Sequence, residues 1–225
     1  MSRSQAIPPV THDEIISTIT NFHTFLTTHP FLPASSIKTP PLEGWPAEHR
    51  ETFRRMGKSP QVIDILSHLP YIDSPTWVWF HDTKPINYIS PLNQRRISEN
   101  WDARRYLFEP RGQRLGENVF SLTDGKLYGV WVLLDVEAGM FFVGFLLGTG
   151  FVNCMGWLID VETGTISEYS VYGSPASNVT EEELESDEVW RSFRTTPIGE
   201  FFARWIEKMQ GEGHLSSDGC KEMHL

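Results

Sequence analysis

Cysteine is nearly absent from this chain of 225 residues: Cys154 falls in an apolar strand pattern and Cys220 in a polar tail. Two such thiols build no disulfide framework, which suits a reducing compartment. Residues 1–10 also lack an apolar signal core, so the expectation is a cytoplasmic protein. Long hydrophobic runs are missing as well. The richest stretch, Met140 to Cys154, is cut by Gly144, Gly148 and Gly150 and is too short to span a bilayer, which argues against a membrane role. Positive charge is scarce, with 19 Lys and Arg against 29 Asp and Glu and a net charge of −10. Basic residues come in pairs such as Arg54-Arg55 and Arg104-Arg105 rather than in stripes, so nucleic acid is not an expected partner.

The motifs of several chemistries are lacking too. No P-loop, dinucleotide fingerprint, HExxH or GxSxG occurs, and Gly148-Thr149-Gly150 has no strand-then-helix context for holding a phosphate. Cys154 has no CxxC partner and the histidines are scattered, so neither a metal nor a cofactor is expected. Gly173-Ser174-Pro175 reads as a turn, and Asn178-Val179-Thr180 as the start of a helix rather than a glycosylation site.

What the chain does have is oil, much of it aromatic. Hydrophobic residues make up 40% of it, including eight Trp and fourteen Phe, enough to close one sizeable core. The reading is a single α+β domain over 1–210 with a flexible tail at 211–225. A central antiparallel meander of about four to six strands is flanked by N-terminal helices and a C-terminal amphipathic helix.

From Thr11, a capping residue, Ile15, Ile16, Ile19, Phe22, Phe25 and Leu26 form one helical stripe that must stop before Pro30. Residues 30–46, with five prolines, read as an extended surface strap. Trp45-Pro46 opens a short polar helix ending at Gly57, and Ser59-Pro60 caps another that ends at Pro70. After Pro75 the period changes from 3.6 to 2. Trp77, Trp79 and His81 then share one face of an extended segment, and short extended pieces follow at 86–89 and 119–122. The type of 94–107 stays open.

One phrase repeats. Leu133-Leu134-Asp135-Val136-Glu137-Ala138-Gly139 returns as Leu158-Ile159-Asp160-Val161-Glu162-Thr163-Gly164, each reading as strand, Asp-initiated turn, glycine and strand. This predicts strands at about 127–134, 140–147, 154–160 and 165–172, the first pair buried on both faces and the last nearer an edge. Thr180 and Glu183 form a capping box for an acidic helix. Thr196-Pro197 starts the last helix, whose stripe of Ile198, Phe201, Phe202, Trp205, Ile206 and Met209 should be buried against the sheet.

Candidate chemistry concentrates between Trp77 and Tyr106, where aromatics interleave with polar groups. Trp77, Trp79, Tyr88 and Trp101 could wall a pocket for a small apolar molecule, with Arg104 or Arg105 holding an anionic group. His81, beside Asp82 or Asp102, could shuttle a proton. The plainer alternative puts the tryptophans in the core and the arginines in water.

His68-Leu69-Pro70-Tyr71, the two Asp-Val-Glu-x-Gly turns, and Ile198-Gly199-Glu200-Phe201-Phe202 before Trp205 resemble the SUKH superfamily, which includes bacterial toxin-immunity proteins and a fungal regulator of cell-wall synthesis. The stretch covered is about 59–209, and the chain also resembles uncharacterised fungal proteins. The superfamily resemblance implies a module that binds a protein partner without catalysis. The competing expectation is a cofactor-independent isomerase or cyclase acting on an apolar metabolite.

Overall fold

The computed structural model describes residues 11–28, 32–79, 83–110, 113–125, 131–136, 140–144, 155–159, 166–170 and 195–211. Within these the chain mixes helices with small antiparallel sheets, as an α+β protein does.

Helix α1 (His12–Leu26) starts where the Thr11 hydroxyl accepts the Glu14 amide at 3.2 Å. It buries Ile15, Ile19, Phe22 and Leu26 of the predicted stripe together with His23, and leaves Ile16 and Phe25 half-buried. The strap follows. It makes one 3-10 turn, Ala34–Ser36, and then a two-residue strand, β1 (Ile37–Lys38). Helix α2 (Ala47–Arg55) ends at Gly57, whose φ of 67° is the left-handed stop expected there. Helix α3 (Pro60–His68) has Pro60 at its first position and the Ser59 hydroxyl accepting the Val62 amide. Strand β2 (Tyr71–Ile72) then pairs antiparallel with β1 and ties the strap to the body.

Residues 77–79 form no strand, which corrects the extended segment expected there. The Trp79 amide donates to the Thr83 carbonyl at 2.8 Å, so the backbone turns back on itself instead of meeting a ladder partner. Strand β3 (Lys84–Pro85) comes next. The stretch left open resolves into α4 (Pro91–Glu99), α5 (Trp101–Arg104) and a 3-10 turn at Arg105–Leu107. Ser90-Pro91 opens α4 with the same cap-then-proline signal as Ser59-Pro60, and Asn100 caps α5 by accepting the Ala103 amide.

The remaining strands are β4 (Val119–Ser121), β5 (Thr123–Asp124), β6 (Trp131–Asp135), β7 (Met140–Gly144), β8 (Met155–Ile159), β9 (Ile166–Ser170) and β10 (Thr195–Pro197). They lead into the last helix, α6 (Ile198–Gly211). The larger sheet has the order β10-β7-β6-β4, all neighbours antiparallel, with Leu133 opposite Phe142 in the first repeated hairpin. Every residue of β6 is buried, matching its central place. Pro197, which has no amide hydrogen to give, sits on edge strand β10. The second hairpin, β8 with β9, forms its own two-stranded sheet among the described residues, and β3 with β5 forms another. The expected helix at Thr180, the tail beyond Gly211, Cys154, Cys220 and Asp160 all lie outside the described residues.

Helix α6 buries Ile198, Phe201, Phe202 and Trp205, but its apolar face meets α1 and Trp79 as well as β7. Phe22 is the hub, with ring centroids 4.5 Å from Phe202, 5.1 Å from Trp79 and 5.9 Å from Trp205. At about 1.5–3 kcal/mol for each large apolar side chain removed from water, this cluster is a main source of stability.

Candidate functional site

Among the described residues, the predicted pocket set divides among four environments. Trp79 and Tyr88 are core residues, 5% and 1% exposed. The Tyr88 hydroxyl donates to the Ser121 carbonyl at 2.8 Å, and its ring stacks on Phe108, centroids 5.7 Å apart. Trp101 also meets Phe108, with ring centroids 5.7 Å apart, and is only half-buried, as is Trp77. The third environment is solvent: Asp102 and Arg104 are exposed on α5, next to an exposed Tyr106. Arg105 belongs elsewhere again, because its guanidinium is engaged by the Glu109 carboxylate at 2.5 and 2.9 Å. His81 and Asp82, the proposed proton shuttle, lie outside the described residues. Asp102 therefore stands without a described histidine beside it.

Two buried polar groups emerge that the sequence reading passed over. The first is His23, 4% exposed, with neither ring nitrogen hydrogen-bonded among the described residues. Its ring is 5.9 Å from that of Trp79, whose indole N–H is likewise unpartnered. Burial alone lowers the His23 pKa to about 4, since a charged imidazolium would lose its water and gain no counter-ion. His23 and Trp79 also line a small cavity, together with Ile19, Tyr71, Ile86 and Tyr88. Its volume is 10 Å³, room for about one water molecule. The sequence carried a signal for His23: it stands four residues after Ile19, on the stripe that α1 buries.

The second group is an ion cluster at the α2–α3 junction. The Lys58 ammonium, 2% exposed as a side chain, meets Glu109 at 3.4 Å and donates to the carbonyls of Leu115 and Gly116 at 3.4 and 3.1 Å. Arg105 approaches the other carboxylate oxygen of Glu109. Burial pulls the Lys58 pKa down, and Glu109 opposes that shift. Every donor of the ammonium is used, so Lys58 ties Glu109 and the backbone at Leu115 and Gly116 to the helical third. Nothing in the local sequence marks Lys58, because its partner stands 51 positions away.

Among the described residues no group of His, Cys, Asp or Glu is arranged to hold a metal ion, and no helix is long and apolar enough to cross a membrane. Compared with known proteins, the chain matches no family model, no curated sequence and no solved structure.

Proposed function

We propose that this chain is a binding module of SUKH-like type that presents a surface to a protein partner and carries out no catalysis. The observation that carries the reading is how the aromatic set is distributed. Trp79 and Tyr88, which would have walled a pocket, are consumed by the core, whereas Trp101, Arg104 and Tyr106 stay at the surface of α5 and the turn after it. A half-buried tryptophan, an exposed tyrosine and an arginine with no ion partner among the described residues are the residue types that anchor protein interfaces. Asn100 caps α5 and Trp101 packs on Phe108, so the patch is held in place before any partner arrives.

The competing isomerase or cyclase needs an enclosed cavity of roughly 300 Å³ or more for a metabolite. The cavity beside His23 and Trp79 holds about one water instead. In the binding reading, the two repeated hairpins form one sheet layer below α6; the close approach of β7 to β8 supports this. The cytoplasm is the compartment that suits a sequence with two cysteines and no disulfide framework.

Two measurements test the proposal. Partner capture from a cell extract should be lost in the double variant Arg104→Glu/Tyr106→Ala while its melting temperature matches that of the parent. A thermal-shift panel of metabolites should leave the chain unmoved. A small molecule present at a hundred times its Kd would add about 2.7 kcal/mol of stability. Saturable stabilisation of that size refutes the binding reading in favour of a ligand pocket.

A further inference from the structure

Carboxylates exceed cations by ten in this chain, yet one part of its surface runs the other way. Residues 47–55 and 91–107 hold seven arginines against four carboxylates. The helices they form are joined. Arg55, the last residue of α2, donates to the Ser98 carbonyl near the end of α4 at 3.1 Å, and the Thr52 and Ser98 hydroxyls are 3.4 Å apart. Helix α5 follows α4 after Asn100 alone.

Two observations mark the α5 end of this surface. The first is charge left unmet. Arg54 and Arg95 are spent on Glu51 and Glu99, at 3.0 and 3.6 Å. Arg55 meets only the Ser98 carbonyl, and Arg104 meets no carboxylate or carbonyl among the described residues. The second lies beneath. Glu109 is the one carboxylate facing both Lys58 and Arg105, so two cations share one anion and a positive charge is left over among the described residues. The Lys58 and Glu109 side chains are 2% and 4% exposed, and little water is there to screen that charge. Burial pulls the Lys58 pKa down and Arg105 adds to the pull.

Glu99 and Asp102 interrupt the arginines, so the cations stand apart instead of forming a stripe. A phosphate backbone calls for a stripe, whereas a carboxylate needs one guanidinium, which it can meet through two parallel hydrogen bonds. Trp101, half-buried against Phe108, and the exposed Tyr106 flank Arg104 in the chain and offer apolar contact beside such a pair. The net charge of −10 opposes an acidic partner only at a distance. At physiological salt that repulsion is screened beyond about 8 Å, and the local cations decide the contact.

We propose that the partner bound at α5 presents an acidic segment, whose Asp or Glu side chains pair with Arg104 and Arg55 and whose apolar neighbour packs on Trp101. It rests on the binding reading and names the partner chemistry of that same site.

The test offers the immobilised full chain two pools of short peptides in which every second residue is random. The fixed positions are Asp and Glu in one pool and Asn and Gln in the other, and retained peptides are quantified by mass spectrometry. The acidic pool should be retained ~10-fold or more over the amide pool. Arg104→Glu should abolish that preference with the melting temperature unchanged, Arg104→Lys should keep part of it, and Arg55→Gln should reduce it. Lys38→Glu makes the same change of net charge on β1, where the lysine pairs with Asp73, and should leave the preference as it is. Equal retention of the two pools overturns the proposal, as does a preference that survives Arg104→Glu. A preference lost as fully in Lys38→Glu overturns it by reducing it to bulk charge. Stronger retention of a single-stranded DNA oligonucleotide than of the acidic pool overturns it in favour of a nucleic-acid site. If Arg104→Glu/Tyr106→Ala loses capture while the two pools are retained alike, the acidic partner is wrong and the binding module stands; if that variant captures as the parent does, the binding reading itself falls.

Discussion

Acid should destabilise this protein through one histidine, and the size of the effect follows from where that histidine sits. His23 has a native pKa of about 4 against an ordinary value of 6.5. The titratable side chains lining the same cavity are Tyr71 and Tyr88, both neutral in acid, and both hold their protons more tightly than usual because they are buried. Between pH 6.5 and 4 the unfolded chain binds a proton at this position and the native chain does not. Unfolding therefore takes up protons, and stability falls as pH drops through that window and levels off below it. The full contribution is present above pH 6.5. The difference between the two pKa values corresponds to about 3 kcal/mol, a large part of the stability of an ordinary domain. The assay is urea denaturation from pH 7.5 to 3.5 on the parent and on His23→Leu. Carboxylates titrate in both, so the difference between the two curves isolates the imidazole. The parent should lose about 3 kcal/mol more than the variant between pH 7 and 4. At pH 7 the variant should be at least as stable, since it removes a buried polar ring with no hydrogen bond to lose. Parallel curves would mean that His23 finds water or a partner in solution, and the reasoning would fail.

The buried ion cluster offers a second test: Glu109→Gln strands the Lys58 ammonium and should cost about 3–5 kcal/mol by chemical denaturation, far more than a surface pair. Substitution of the two left-handed glycines separates strain from collision. Gly57→Ala has open space around its new methyl group and should lose about 1–2 kcal/mol, whereas Gly44→Ala meets the Ser67 carbonyl and should lose clearly more, read as midpoints of thermal unfolding. Phe22→Ala, at the hub of the α1–α6 aromatic cluster, should cost about 3–5 kcal/mol in the same measurement.

The parts of the fold legible in the sequence are those governed by neighbours in the chain. Thr11, Ser59-Pro60, Gly57 and the stripes of α1 and α6 act within a few residues, and the structure has each in its expected place. The twin Asp-Val-Glu-x-Gly phrases mark the β6–β7 and β8–β9 hairpins for the same reason. Helix α4 was equally legible through Ser90-Pro91, and polar composition masked it: Ile97 is the one residue that it buries, so its apolar stripe is too sparse to show a period. Trp77 to Trp79 misled in the opposite sense, because bulky aromatics alternate as in a strand while the backbone closes a turn onto Thr83.

Local sequence thus determined where helices and hairpins begin and end, since caps, prolines and glycines act through bonds to their immediate neighbours. Which side chains share an environment was decided by tertiary structure alone. Burial and desolvation depend on what packs across the chain: Lys58 on Glu109, His23 under Trp79, Trp45 on the end of α3, and Trp101 left at the surface with Arg104. The first three of these span 24 to 56 positions, over which composition and period carry no information, and only the folded chain brings them within reach of one another.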